Sequence, residues 1–524
     1  MPRKITRRSF VLSSAAGGLV AAVGLAKPGL SRAQSRPTIT HGLQSGDIDS
    51  SSGMIWARAN RPSRMFVEVA TSDSFKNSMW LPTLDALPES DFAVKRLLEG
   101  LPADQEIFYR VAFADLDDLS AVSEPLVGRF RTAPTSRRNV RFVWSGDTAG
   151  QGWGIDESQG GMKTYATMLG HQPDFFLHSG DTVYCDGPIA AEKEMPGGGV
   201  WRSLVAEGVE KVAETLEEFR GRFKYNMLDA HVRALNAAVP AIYQWDDHEV
   251  VNNWSPSKDL SADDRYTVKS LPLLHARAGR AFHEMMPIRT VAAEPGRVYR
   301  KIACGPLLDV FVIDLRSYRG PNDANLEPTL APEDRIVGTA QMRWLKKALA
   351  DSTATWKVIA SDMPIGLIVW NNAQDETGSE AIANGDHADA KGRELEFAEL
   401  LRFIKHAGIQ NVVWLTADVH YTAAHFYDPG QAQFQDFEPF WEFVSGPLHS
   451  GTFGPGELDR TFGPEARFVK APAEGQEQNL PPSEGLQFFG IVEIDGDTEV
   501  MTVRLMDRDD AELFSQVLEP KRVG

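Results

Sequence analysis

Apolar runs that stop at an acid recur along this chain. Phe175-Phe-Leu177 leads into His178-Ser-Gly-Asp181-Thr-Val-Tyr184, and Val140 to Val143 leads into Trp144-Ser-Gly-Asp147. Ala241-Ile-Tyr-Gln-Trp245 stops at Asp246-Asp247-His248-Glu249. Leu307 to Ile313 stops at Asp314-Leu-Arg316-Ser-Tyr-Arg319, Trp356 to Ala360 at Ser361-Asp362, and Gln410 to Leu415 at Thr416-Ala-Asp418-Val-His420. Each run is short and bounded by turn residues, which predicts strands buried on both faces. Helical periodicity marks Met162 to Leu169, Ala340 to Leu349 and Glu394 to His406. Glu192 to Val239 reads as largely helical, with Trp201, Leu204, Val205, Val209 and Val212 on its apolar face. Strands alternating with helices predict an α/β (α+β) domain over residues 138–524. Within it, Trp441 to Gly463 reads as loops near a site mouth, and Phe489 to Leu518 as a hairpin turning at Asp495-Gly496.

The pattern is different before residue 138. Gly53 to Arg58, Met65 to Val69 and Ile107 to Phe113 are short alternating runs separated by turns rich in Gly, Pro, Asp and Ser. They predict a small all-β sandwich of fibronectin type III or immunoglobulin type over residues 38–134. Nothing in it has catalytic spacing, and a sandwich by itself is a scaffold. Earlier still, Arg3, Lys4, Arg7 and Arg8 precede a mild apolar run from Phe10 to Ala26, and Ser31-Arg-Ala33 has the pattern of a signal-peptidase site. Thr6-Arg-Arg-Ser-Phe-Val-Leu12 resembles a twin-arginine export signal. Residues 1–33 therefore read as a cleaved address to the periplasm or the exterior. The run is too weakly apolar for a stable membrane anchor.

Composition narrows the partners. The 524 residues carry 72 acidic and 54 basic side chains, a formal charge of −18. That balance argues against nucleic acid and anionic lipid surfaces and suits multivalent cations. The two cysteines, Cys185 and Cys304, form no disulfide framework, although one bond between them is open.

One acid at a strand end is an ordinary helix cap or turn residue. A series of them reads as one convergent metal site, because open α/β sheets build sites at the carboxyl ends of their strands. Four ionisable residues in a row at Asp246 to Glu249 are costly to bury for packing alone. His178, His425 and His449 are read as structural, since a lone histidine is more often a satisfied core residue than a ligand.

The series Asp147, Gly180-Asp181-x-x-Tyr184, Asp247-His248-Glu249 and Asp418-x-His420 resembles the calcineurin-like metallophosphoesterases. Within them, Trp245-Asp-Asp-His-Glu-Val250 with Asn252-Asn-Trp254, Asp314-x-Arg316-x-Tyr318-Arg319 and Leu415-Thr-Ala-Asp-Val-His420 are similar to the alkaline phosphatase D family. Gly42-Leu-Gln-Ser-Gly-Asp47 and Trp56-Ala-Arg58 resemble the start of that family's N-terminal β domain. Trp144-Ser-Gly-Asp147 departs from a pattern that often has a Cys nearby. The resemblance implies a four-layer core of two facing mixed sheets flanked by helices. It implies that Asp181 bridges two metals, that Asp147, Tyr184 and His420 complete the first site, and that Asp247 and Asp418 serve the second. Asp362 is a further candidate ligand. His248 would protonate the leaving group, and Arg316 or Arg319 would hold a phosphate oxygen.

The implied activity is hydrolysis of phosphate monoesters through a hydroxide generated on the metal pair. A phenolate from Tyr184 suits Fe³⁺, and the carboxylate-rich second site suits Ca²⁺, with Mn²⁺, Mg²⁺ or Zn²⁺ as alternatives. The same metal pair would serve a phosphodiesterase or a phospholipase D-like activity. A calcium-dependent binding protein is the reading from another class. No Ser or Thr sits in a nucleophile elbow, so no Ser phosphoenzyme is expected. The implied partners are small phosphate esters and the twin-arginine export machinery.

Exchanging Arg7 and Arg8 for Lys is expected to hold the precursor in the cytoplasm. Cell fractionation checks this, and mature protein found in the periplasm would refute the export route.

Overall fold

The strand runs pair into two large sheets in a computed structural model that describes residues 36–372 and 374–522. The address read at residues 1–33 lies outside the described residues. A nine-stranded sheet runs in the order Glu512–Leu518, Met501–Asp507, Phe488–Ile494, Val140–Ser145, Phe175–Ser179, Ala241–Gln244, Ile39–Gly46, Ser52–Ala59, Ala93–Glu99. A seven-stranded sheet runs Arg300–Ala303, Leu308–Val312, Trp356–Ala360, Val412–Thr416, Phe440–Val444, Thr422–Tyr427, Pro464–Lys470. Both are mixed: the acid-terminated strands pair in parallel with one another, and the outer strands are antiparallel.

Side-chain alternation explains why the runs are apolar throughout. Phe142 and Trp144 face Val310, Val312, Val358 and Leu415 across the gap between the sheets, and Val143 points the other way. The outer face of the nine-stranded sheet is covered by the helices Lys163–Gly170, Leu216–Asn226, Ala230–Ala238 and Leu271–Met285. Thr339–Ala350 and Arg393–His406 cover the outer face of the other sheet. The result is the four-layer order of helices, sheet, sheet and helices. Gly490 lies opposite Trp144, and a Cβ on it would come within 2.0 Å of the indole, so glycine there makes room for the largest core side chain.

The N-terminal β region packs as a sandwich, with Leu43, Ile55, Val94 and Leu98 against Val67, Tyr109, Val111 and Phe130. One of its two sheets is the end of the nine-stranded sheet itself, joined where Gly46 pairs in parallel with Ala241. The other has five strands, with Ser63–Ala70 and Glu106–Asp115 at its centre.

Three sequence expectations need correction. Glu192 to Val239 is helical only from Leu216; before that, Glu192–Glu194 and Val200–Arg202 form a hairpin. Its turn is made by Gly197, Gly198 and Gly199, all at positive φ, a conformation that breaks a helix. Trp201 is buried from that hairpin, and Val205 is 67% exposed. Phe440–Val444 is an inner strand and the loop begins after it. The C-terminal hairpin turns where expected and gains a further strand, Glu512–Leu518. Cys185 and Cys304 are both buried and free. No helix among the described residues is long and apolar enough to cross a membrane.

Asp47 ties the two large sheets together. It sits at φ 49°, just after Ile39–Gly46, and is 1% exposed. Its carboxylate accepts from Arg300 Nη2 at 2.7 Å and from the Arg289 backbone N–H at 2.7 Å. Arg300 begins the edge strand of the seven-stranded sheet. Replacing Asp47 with Ala leaves a buried guanidinium without its counter-charge, so Asp47→Ala is expected to lower unfolding stability by ~3 kcal/mol. The midpoint of urea unfolding checks this, with Arg300→Met in the Asp47→Ala background recovering part of the loss.

Candidate metal centre

Four strands deliver their terminal residues to one point between the sheets. Val140–Ser145, Phe175–Ser179 and Ala241–Gln244 bring Asp147, Asp181 and Asp246 to Glu249 from one sheet. Val412–Thr416 brings Asp418 and His420 from the other. Just past the strand, the backbone must turn sharply to aim a carboxylate at the centre. Asp147, Asp181, Asp418 and His420 stand at φ 62°, 50°, 67° and 59°, the left-handed region that costs non-glycine residues free energy. The turns crowd together as well. A Cβ on Gly446 would lie 2.0 Å from Asp147 Oδ2, and one on Gly150 would lie 2.0 Å from the Tyr184 ring.

The donor atoms fall into linked groups, within each of which they lie no more than 4.8 Å apart. Asp147, Asp181 and His420 make one; Asp181, Asp247 and His248 the next; Asp246, Asp247 and Asp418 the third. Asp181 belongs to the first two and Asp247 to the last two, so these carboxylates are placed to bridge neighbouring positions. Tyr184 joins the first group through its hydroxyl, 3.0 Å from His420 Nε2. His420 Nδ1 donates to the Gly451 carbonyl at 2.5 Å, which leaves Nε2 as the free donor atom. Burial lowers the pKa of His420 to about 4, keeping the ring neutral.

The carboxylates are in an environment that penalises their charge. Burial, and then repulsion led by Asp246, raise Asp147, Asp181 and Asp418 well above the usual carboxylate range. Both oxygens of Asp147, Oδ2 of Asp181, Oδ2 of Asp246 and Oδ1 of Asp247 are buried with no hydrogen-bond partner among the described residues. Orphaned buried carboxylate oxygens are rare because each costs its full desolvation penalty. Converging ones fit multivalent cations, and the donor set of carboxylate, phenol and imidazole without thiolate suits hard metals.

His248 has a separate support. Its Nδ1 pairs with Asp186 Oδ1 at 2.8 Å, its ring lies over Tyr184 with centroids 4.3 Å apart, and its Nε2 is 3.9 Å from Asp247 Oδ1. Burial opposes protonation, but the charges of Asp186 and Asp247 outweigh it and lift His248 to about 9. Burial would raise Asp186; the His248 charge and hydrogen bond instead hold it down to about 2.

The structure brings together Asp147, Asp181, Tyr184, Asp247, His248, Asp418 and His420. It sets Asp362, Arg316 and Arg319 behind them. Asp362 Oδ2 is 3.5 Å from Arg316 Nε and lies outside the donor groups. Arg316, 1% exposed, pairs with Asp246 and Glu380, and its Nη2 is 3.9 Å from Asp418. Arg319 pairs with the same Glu380. Both guanidinium groups brace carboxylates, and Arg316 Nη2 and Arg319 Nε are buried without a hydrogen-bond partner among the described residues. Sequence reasoning passed over Asp246, though it stands beside Asp247, and Asp186, which no periodicity marks. His178, His425 and His449 have structural partners in Thr148, Glu442 and the Gly154 carbonyl.

Comparison with known proteins gives the chain's family and fold. A family model described as PhoD-like phosphatase matches residues 142–505, and one described as PhoD-like phosphatase, N-terminal domain, matches residues 24–134. Alkaline phosphatase D of Bacillus subtilis (strain 168) is 30% identical over 404 residues, 73% of this chain. The match spans 64% of that relative's length. A solved structure titled as that of PhoD superposes with a TM-score of 0.66 at 21% identity, covering 91% of this chain and 88% of that one. A purple acid phosphatase, PPD1, from yellow lupin (Lupinus luteus) superposes with a TM-score of 0.57 at 11% identity, over 92% of this chain and 74% of that one. These likenesses extend over the two-sheet core and the β region that precedes it.

Asp181→Asn keeps the side chain's shape and its hydrogen bond from the His248 N–H, but removes the shared negative charge. It is expected to cut bound metal by at least half while the thermal unfolding midpoint of the metal-free protein holds or rises. Elemental analysis beside calorimetry checks this; full metal content in the variant would end the bridging assignment.

Proposed function

The chain belongs to the PhoD-like phosphatase family, and on that premise we propose that it is an exported, metal-dependent phosphatase that hydrolyses phosphate monoesters. The observation that carries the reading is the set of buried, unpartnered carboxylate oxygens from Asp147, Asp181, Asp246 and Asp247, gathered beside Tyr184 and His420. A structural carboxylate cluster has donors for its oxygens; here five oxygens of these four residues are buried without one among the described residues.

Asp147, Asp181, Tyr184 and His420 would hold Fe³⁺, and Asp181, Asp246, Asp247 and Asp418 would hold Ca²⁺ or a similar hard ion. When bound, such ions supply a nucleophile near neutral pH and neutralise the phosphoryl charge that repels it. The protein's own residues do the rest. Asp186 fixes His248 by Nδ1, which points Nε2 toward Asp247 and presents its proton to the leaving oxygen. Tyr184 packs against His248 with ring centroids 4.3 Å apart, which restricts the turning of the imidazole. Arg316 holds Asp246 and faces Asp247 and Asp418, keeping the second donor group in register without touching substrate. The address at residues 1–33 supports delivery to the periplasm or beyond.

Turnover of p-nitrophenyl phosphate and bis(p-nitrophenyl) phosphate by metal-loaded protein tests the reading. Preference for the monoester is expected, and no turnover of either ester would overturn it. Tyr184→Phe decides the first metal. If Tyr184 binds Fe³⁺ as phenolate, the wild type absorbs visible light by charge transfer and the variant is bleached, with stability changed by only about 1 kcal/mol. A colourless, fully active wild type would exclude the phenolate–iron assignment.

A further inference from the structure

Solvent reaches the donor groups most readily at one residue. Asp147, Asp181 and His420 are buried, and the side chain of Asp247 is 4% exposed, but that of Asp418 is 16% exposed. Val419, between Asp418 and His420, is half-buried as well. The Asp418-Val419-His420 turn therefore lies at the mouth of the site, and a side chain beside it meets the part of a substrate that projects outward. Phe453 is tied to that turn twice. Its N–H donates to the His420 carbonyl at 3.3 Å, and its ring stands at 82° to the imidazole with centroids 5.2 Å apart. Phe453 is itself half-buried, so an aromatic residue in contact with a donor histidine also meets solvent.

The loop that carries Phe453 is held at both ends, where Thr452 pairs with Leu480 and Leu458 with Leu367. Between those points it lies close on the apolar cluster to which Val419 belongs. A Cβ on Gly454 would come within 2.6 Å of the Tyr421 ring, and one on Gly456 within 2.9 Å of Leu367. Leu367 and Tyr421 are the buried side of that cluster; Val419, Val369 and Leu458 are its half-buried side. A loop pinned in this way holds Phe453 in place before any ligand arrives, so little ordering cost is left for binding. The side chains of Phe453, Val419, Val369 and Leu458 carry no hydrogen-bond donor for a hydroxylated or anionic group. They gain by covering an apolar one, and an aromatic ring gains further against Phe453. We propose that Phe453, with Val419 and Val369, forms a subsite for the leaving group, and that the preferred substrates are phosphate esters of alcohols that carry an aromatic ring. This rests on the phosphate-ester reading above.

The test compares 2-phenylethyl phosphate with ethyl phosphate on the metal-loaded wild type, Phe453→Leu and Phe453→Tyr. Both esters release a primary alcohol, so the pair isolates the ring. The wild type is expected to favour the phenylethyl ester. Phe453→Leu keeps an apolar contact with His420 and is expected to lower the ratio of kcat/KM values, phenylethyl over ethyl, by about fivefold, with the loss in KM. Phe453→Tyr keeps the ring and is expected to keep the ratio. Equal losses on both esters, with less metal bound by elemental analysis, would make Phe453 a support for His420 alone and overturn the subsite, as would an unchanged ratio. If the wild type hydrolyses neither ester, calorimetric titration of the metal-loaded protein with the same two compounds separates the two readings. Tighter binding of the phenylethyl ester that Phe453→Leu abolishes upholds the subsite while the phosphatase reading falls, and equal binding of the two removes the subsite as well.

Discussion

Several carboxylates buried within a few ångströms of one another are the arrangement to which the rest of this chain accommodates. Such a cluster repels itself, and burial strips away the water that would screen it. It persists only where the surrounding structure allows no escape. Here each member stands just past a strand whose last four residues are buried, so rotation or withdrawal would break the sheet. The left-handed backbone at Asp147, Asp181 and Asp418 is a second cost borne for the same aim. Two sheets are needed because the donors come from both. Asp147, Asp181 and Asp247 arrive from one, and Asp418 and His420 from the other. The apolar layer around Trp144, Leu177, Val358 and Leu415 fixes the distance between them.

A second layer of charge stands behind the first. Arg316 joins Asp246 and Glu380, Arg319 joins Glu380, and Arg393 Nη1 is bound by the carbonyls of Ser379, Glu380 and Ala381. Buried ion pairs contribute little net stability, since desolvation consumes most of their attraction. Their use here is geometric. Glu380 cannot shift without disturbing Arg316, and Arg316 cannot shift without releasing Asp246. The strained donors are held from behind by groups that never meet solvent.

What could be read from the sequence follows from which constraints are local. An apolar run that stops at Asp is visible within a few residues, so Asp147, Asp181, Asp247 and Asp418 were legible before any fold was known. The helices Thr339–Ala350 and Arg393–His406 were legible for the same reason. Asp186 was not. Its meaning depends on His248 Nδ1 and the Asn252 N–H, which meet its carboxylate only after the chain has turned past His248. Arg316 and Arg319 were legible as cations near a strand end, but the Glu380 bound to both is distant in sequence and was not. The hairpin Glu192–Arg202 was hidden because Trp201 falls in helical spacing with Leu204, Val205, Val209 and Val212, and the glycines that break a helix lie just before it.

The joining of the N-terminal β region to the core changes what that region is for. A free sandwich would be a module, and a binding role for it would be the natural reading. Instead, Ile39–Gly46 is the direct sheet neighbour of Ala241–Gln244, the strand that carries Asp246 to Glu249. Gln44 reaches across to the Met285 carbonyl, and Trp56 donates to the Glu284 carbonyl at the end of the helix Leu271–Met285. That helix in turn packs Phe282 on Trp245, the residue just before Asp246. The β region therefore holds both the strand and the covering helix next to the most crowded acids of the site. Its place in the fold is that of a support, because without it the strand that carries Asp246 to Glu249 would lose its sheet neighbour.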